Sequence, residues 1–249
     1  QLDPEMVLDS ARDSSIEDAM AELTLERVWL PDAFSIKDVS PDGRTLLVQG
    51  PVQVHKKQPR HDLWLIDDDE ASQQKTPADI YTSLRLISEK RDRYILNVHW
   101  TKHGIYIHHF DGTRTTISKL FENGEYETYD LGGISPDQSF NITDTGYITF
   151  VGRSQDALPE IYIGTPMKNG WDLVRVTRNT EAFSHLDFGT VESIKWISRD
   201  GTEIEGILRK PSDFDPAKKY PLLLFPHGGP RGCSTLSLLS NDYMRPAHP

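Results

Sequence analysis

The chain has 249 residues, room for one large domain or two smaller ones, and its 37% hydrophobic and 26% charged residues fit a globular rather than a disordered protein. Lys and Arg total 27 against 38 Asp and Glu, and the formal net charge of −11 repels a nucleic-acid backbone, so no nucleic-acid partner is expected. No apolar run approaches the roughly 20 residues of a membrane-spanning helix, and no membrane partner is expected.

In chain order, Ser15 to Arg27 comes first. It places Ile16, Ala19, Met20, Leu23 and Arg27 at helical spacing behind Ser14 or Ser15 as cap, and Pro31 closes it. The texture then changes to short strands and polar turns. Ser40-Pro41-Asp42-Gly43 reads as a turn leading into a strand over Arg44–Gln49, and His61–Asp67 reads as another strand. Further strands are predicted at Ser83–Ile87, Tyr94–Trp100, Ile105–Phe110, Tyr126–Leu131, Gly146–Val151 and Glu160–Gly164. Many short strands separated by turn residues indicate a mainly β protein: a propeller, barrel or sandwich.

Ser40-Pro41-Asp42 recurs as Ser135-Pro136-Asp137, 95 residues on, close to the length of two propeller blades. A single four-stranded blade cannot bury both of its faces, and stacking blades does. About three blades fit between Ser35 and Thr180, fewer than a closed propeller needs, so a partial propeller is expected, with an irregular sandwich as the alternative.

From residue 186 the pattern changes again. Val191–Ser198 alternates as a strand, Arg199-Asp200-Gly201 turns it, and Glu203–Arg209 returns. Tyr220-Pro221-Leu222-Leu223-Leu224-Phe225 is continuously apolar, the pattern of a strand buried on both faces of an α/β sheet. It leads into Pro226-His227-Gly228-Gly229-Pro230. Paired glycines after such a strand let backbone N–H groups approach a ligand closely, as acyl-transfer chemistry requires of an oxyanion hole.

Asp200-Gly201, Gly206-Ile207-Leu208, Lys210-Pro211, Lys219-Tyr220-Pro221-Leu222 and His227-Gly228-Gly229-Pro230 together resemble the propeller-to-hydrolase junction of the prolyl-oligopeptidase family of serine peptidases. Pro226 before His227 is most similar to the acylaminoacyl-peptidase and dipeptidyl-peptidase 5 branch. With the patterns above, three regions are expected: a helical segment over 1–33, a partial propeller over 34–185, and, as the resemblance implies, the start of an α/β-hydrolase domain over 186–249. The resemblance implies that Gly229, with Gly228, presents the oxyanion-hole N–H, that His227 shapes the loop, and that the intact enzyme cleaves short or N-acylated peptides. It implies no cofactor. The family also needs a G-x-S-x-G elbow followed by Asp and His, and Gly232-Cys233-Ser234-Thr235-Leu236 does not supply the elbow. The chain is therefore expected to stop short of its nucleophile and to be inactive as it stands. A non-catalytic propeller that binds a protein partner, and an esterase, are the rival readings.

The remaining signals have plain readings. His99, His103, His108 and His109 form the densest histidine cluster, but neighbours in a strand point to opposite faces, so no metal site is expected. Asp67-Asp68-Asp69-Glu70 lacks the spacing of a calcium loop and reads as a solvated turn, and His55-Lys56-Lys57 with Arg60-His61 as a basic surface loop. Trp64, Trp100 and Trp196 read as core. Asn141-Ile142-Thr143 matches the glycosylation triplet, a pattern common by chance. The single cysteine, Cys233, forms no internal disulfide, which favours a cytoplasmic setting and leaves secretion open. A homo-oligomer is left open too.

Overall fold

The computed structural model describes residues 30–31, 33–52, 60–67, 69, 71, 76–90, 93–228 and 232–239. The helix expected over Ser15–Arg27, the basic residues His55-Lys56-Lys57, and Asp68 and Glu70 lie outside the described residues.

Three four-stranded antiparallel sheets follow one another along the chain, each a meander of sequence neighbours. Blade 1 is β1 (Ser35–Val39), β2 (Thr45–Pro51), β3 (His61–Asp67) and β4 (Arg85–Leu86), with helix α1 (Pro77–Ser83) between its last two strands. Blade 2 is β5 (Ile95–Thr101), β6 (Gly104–Asp111), β7 (Arg114–Leu120) and β8 (Tyr126–Thr128). Blade 3 is β9 (Ser135–Ile142), β10 (Ile148–Arg153), β11 (Glu160–Met167) and β12 (Gly170–Arg175). A short helix α2 (Asn179–Ala182) then leads to an antiparallel hairpin, β13 (Thr190–Ile197) and β14 (Glu203–Lys210). The first three sheets form the partial β-propeller that the strand pattern predicts.

Alternation along each strand puts apolar side chains on both faces of a blade, and stacking buries them. Leu47, Leu63, Leu65 and Ile87 of blade 1 pack with Ile95, Val98, Ile105, Ile107 and Leu120 of blade 2. On the other side of blade 2, Tyr106, Ile117 and Leu131 pack with Phe140, Ile142, Ile148, Phe150 and Tyr162 of blade 3. In all three blades the first strand pairs with the second through a register shift, which increases twist. At the first of these shifts Asp38 accepts a hydrogen bond from Trp100 N at 2.7 Å and faces His99 Nδ1 at 3.3 Å. His99 Nε2 in turn donates to Ile142 O at 3.1 Å, and His103 Nε2 to Asp144 O at 2.7 Å. Two of the clustered histidines thus tie blade to blade. His108 and His109, both fully buried, face opposite sides of β6, and among the described residues no group of His, Cys, Asp and Glu is placed to hold a metal.

Several local expectations are corrected. Ser83–Ile87 is not one strand: Thr76 and Asp79 form a reciprocal capping box with Pro77 in the first turn, so α1 continues through Ser83 and only Arg85–Leu86 is extended. That helix brings Ile80 onto Leu46, Val48 and Ile66, covering the outer face of blade 1. The two Ser-Pro-Asp copies are not equivalent. Ser40-Pro41-Asp42 turns from β1 to β2, whereas Ser135-Pro136-Asp137 opens β9, where Pro136 pairs with Gly152 and Asp137 takes an ion pair from Arg153. Proline is tolerated there because β9 lies at the edge of its sheet. Trp64 and Trp100 pack against the core, but Trp196 is 45% exposed on the hairpin, its ring lying against Gly206.

Two buried ionisable groups contribute to the acid response. Burial alone would raise the pKa of Glu160, yet four hydrogen bonds override it: Thr177 Oγ1 at 2.5 Å, Thr180 N at 2.7 Å, Thr180 Oγ1 at 2.8 Å and Asn179 N at 3.0 Å. They hold the carboxyl at about 2 and lash α2 to blade 3. Burial pushes His108 down to about 4; the Pro136 carbonyl and the Asp137 charge pull the other way without offsetting it.

Two outcomes follow from these contacts. Ile107→Ala is expected to cost about 2–5 kcal/mol in urea denaturation, and Val174→Ala, at a site 58% exposed on blade 3, less than about 1 kcal/mol. Both shifted groups have folded pKa values below their unfolded ones, so the unfolded chain takes up protons first as pH falls. Stability is expected to decline between about pH 6.5 and 4 through His108 and between about 4.5 and 2 through Glu160. His108→Phe should flatten the upper window and Glu160→Gln the lower one; an unchanged profile in either variant contradicts the assignment.

Candidate functional site

The segment named by the sequence begins where blade 3 gives way to the hairpin. Gly189 makes this junction in the left-handed region (φ +67°), and a Cβ there would overlap the Lys210 carbonyl oxygen, so only glycine lets β13 start beside the end of β14. Asp200-Gly201 closes the hairpin as expected, with Gly201 at φ +86° and Asp200 accepting from Ser198 Oγ and Thr202 N.

Glu205 fixes the hairpin to the propeller. Its Oε1 accepts from Thr113 Oγ1 at 2.7 Å, Thr113 N at 3.3 Å and Ser193 Oγ at 2.8 Å. Burial would raise its pKa, and these donors lower it below the ordinary Glu value. Thr113 lies in the turn between β6 and β7, so the hairpin is anchored to blade 2 through one carboxylate oxygen.

Beyond β14, Lys210 Nζ lies 5.1 Å above the Phe214 ring, Phe214 stacks on Tyr220 at 5.1 Å, and Asp215 N donates to Tyr220 Oη at 2.9 Å. These contacts fold 211–220 into a compact turn. The run that follows differs from the sequence expectation. Leu222, Leu223 and Leu224 are 79%, 69% and 81% exposed, and 221–228 forms no strand. A strand buried on both faces needs a neighbour on each side to pair its backbone and sheet-covering helices above and below. Among the described residues no other strand flanks it.

His227 and Gly228 are exposed at the end of that run, and Gly229 lies outside the described residues. His227 Nδ1 donates to the Gly228 carbonyl oxygen at 3.2 Å, folding the ring back onto its own loop. A Cβ on Gly228 would meet nothing within 4 Å, whereas one on Gly232 would overlap the Gly228 carbonyl oxygen. The loop therefore closes on itself at Gly232 and is open at Gly228.

The chain then returns to the propeller. Cys233 Sγ lies 3.2 Å from Gly112 O, and burial, followed by the Glu205 charge, raises its pKa, so it is a thiol rather than a poised nucleophile. Leu236 N donates to Thr113 O at 2.6 Å and Leu238 N to Ser154 O at 2.7 Å, while the Arg209 guanidinium donates to Ser237 O at 2.7 Å and Leu238 O at 2.6 Å. Sequence reasoning missed Thr113, Glu205 and Arg209, whose side-chain contacts with one another and with the returning chain span 28 to 92 residues, and Ser154, which contributes a backbone carbonyl that carries no sequence signal.

No family model matches the chain. Over 144 residues it is 31% identical to a probable dipeptidyl-aminopeptidase B of Ajellomyces dermatitidis, covering 57% of this chain and 14% of that protein. Over 162 residues it is 27% identical to a protein of the same description from Ajellomyces capsulatus, covering 63% and 16%. The chain thus spans about a seventh of these relatives' length. Among solved structures, the acylaminoacyl peptidase of Pyrococcus horikoshii aligns with a TM-score of 0.57 at 17% identity, over 80% of this chain and 28% of that one. Puromycin hydrolase aligns with a TM-score of 0.52 at 17% identity, over 82% and 39%. These matches support the resemblance to the prolyl-oligopeptidase family. The solved structures share its fold.

The anchoring of hairpin to blade is testable by magnitude. Glu205→Ala strands the buried Thr113 donors and is expected to cost about 1–3 kcal/mol by urea denaturation. Glu203→Ala breaks only the exposed pair with Lys195 at 2.9 Å and is expected to cost less than about 1 kcal/mol. Equal effects would remove Glu205 as the anchor.

Proposed function

We propose that this chain is the propeller-to-hydrolase portion of a serine peptidase acting on short or N-acylated peptides. The observation that supports this most is the order of parts: three stacked blades, a Glu205-anchored hairpin, then the glycine loop at His227-Gly228, in a chain similar to probable dipeptidyl-aminopeptidases B.

In this reading the propeller restricts access to small substrates. Gly229, with Gly228, presents backbone N–H groups to the oxygen that becomes negative in the tetrahedral intermediate, a contribution of about 3 kcal/mol for a well-placed donor. His227 shapes the loop, its Nδ1 donating to Gly228 O. The acylaminoacyl-peptidase-like branch is part of the same proposal. So is the inertness of the 249-residue chain, because no G-x-S-x-G elbow follows the loop.

A fluorophosphonate probe is expected to leave the 249-residue chain unlabelled; covalent labelling would overturn its inertness. The protein expressed from its complete reading frame is expected to hydrolyse acyl-alanine or dipeptidyl anilides faster than short-chain esters. Preference for esters would point to an esterase, and no hydrolysis of either to a non-catalytic propeller.

A further inference from the structure

The stretch that returns to the propeller after the glycine loop is held in the manner of a bound peptide. Leu236, Ser237 and Leu238 are only 3%, 2% and 6% exposed. The amides of Leu236 and Leu238, two residues apart, donate to Thr113 O on blade 2 and Ser154 O on blade 3. The carbonyls of Ser237 and Leu238 both accept from Arg209 on β14. The seat is thus built of two carbonyl acceptors and one forked donor that engage the backbone, and it buries the Leu236 and Leu238 side chains. The Ser237 hydroxyl donates to Leu239 O at 2.5 Å, within the stretch itself, so the seat makes no demand on that side chain except size.

The seat does not end with its occupant. Leu238 forms one wall of a cleft of about 510 Å³ whose other walls include Phe183, Leu186, Phe188, Val191 and Arg175. Phe183 and Leu186 remain 45% and 48% exposed there, so apolar surface continues past the last buried leucine.

We infer that the seam between blades 2 and 3 and β14 is a binding groove for an extended peptide of the pattern apolar–small–apolar, and that Thr235–Leu238 fills it as an internal ligand. The inference rests on the geometry of the seam, requires no bond cleavage, and stands apart from the peptidase reading. A tethered occupant competes at an effective concentration on the order of millimolar, so a free peptide enters readily only when the internal one is weakened.

The probe is the peptide acetyl-Thr-Leu-Ser-Leu-Leu-amide, fluorescently labelled for anisotropy. It is expected to bind the doubly substituted chain Leu236→Asp/Leu238→Asp at least tenfold more tightly than the parent, and a further Arg209→Ala is expected to weaken that binding at least fivefold. Equal affinity for parent and double variant, equal binding of a peptide with both inner leucines replaced by Asp, or no effect of Arg209→Ala would overturn the groove. The unaltered chain provides an arm that does not depend on the variants folding. In hydrogen exchange, the Leu236 and Leu238 amides are expected to exchange more slowly than those of Leu222–Leu224, and several millimolar unlabelled peptide is expected to speed them severalfold. Unprotected amides, or rates that the peptide does not change, would overturn it as well.

Discussion

β6 is the strand on which the rest of this structure depends. Its side chains alternate between two buried layers: Ile105 and Ile107 face blade 1, and Tyr106 and His108 face blade 3. A half-buried strand has one apolar face and one solvated face, so burying both requires a sheet on either side. The three blades therefore stand or fall together. The polar ties among the first strands, from Asp38 through His99 to Ile142 O, register layers that apolar packing has already brought into contact.

That stacking also positions the candidate site. The turn between β6 and β7 offers Thr113 at the rim of blade 2, and the end of β10 offers Ser154 at the rim of blade 3. Glu205 and Arg209, four residues apart on β14, engage that rim from the other side, the first through Thr113 itself and the second through the backbone seated against it. One hairpin thus joins the propeller to the glycine loop, and the same strand that anchors it helps to hold the returning chain. The buried Glu160 cradle plays a comparable part at the outer edge, fixing α2 so that Phe183 and Leu186 line the neighbouring cleft.

Much of this was legible in the residues. Period-two apolar patterns located β3 at its observed ends and β2, β5, β6, β10 and β11 to within three residues or so, because alternation is a local property of each segment. β7 was passed over because Arg-Thr-Thr-Ile-Ser-Lys-Leu is polar in composition. Its buried positions include Thr115 and Ser118, whose hydroxyls meet Pro136 O and His109. α1 carried a readable signal in Thr76-Pro77 and Asp79 that a run of apolar residues just after it obscured.

The amino-acid sequence by itself determined most of the strands, the Asp200-Gly201 turn, and the order of propeller, hairpin and glycine loop. Each depends on residues within a few positions of one another, where periodicity and backbone preference act. Tertiary structure alone decided that the two Ser-Pro-Asp copies occupy different places, that Leu222–Leu224 lies exposed, that Trp196 sits outside the core, and that Leu236–Leu238 is buried at the rim of two blades. Those outcomes turn on whether a distant surface is present to pair with or pack against, and no local pattern encodes that.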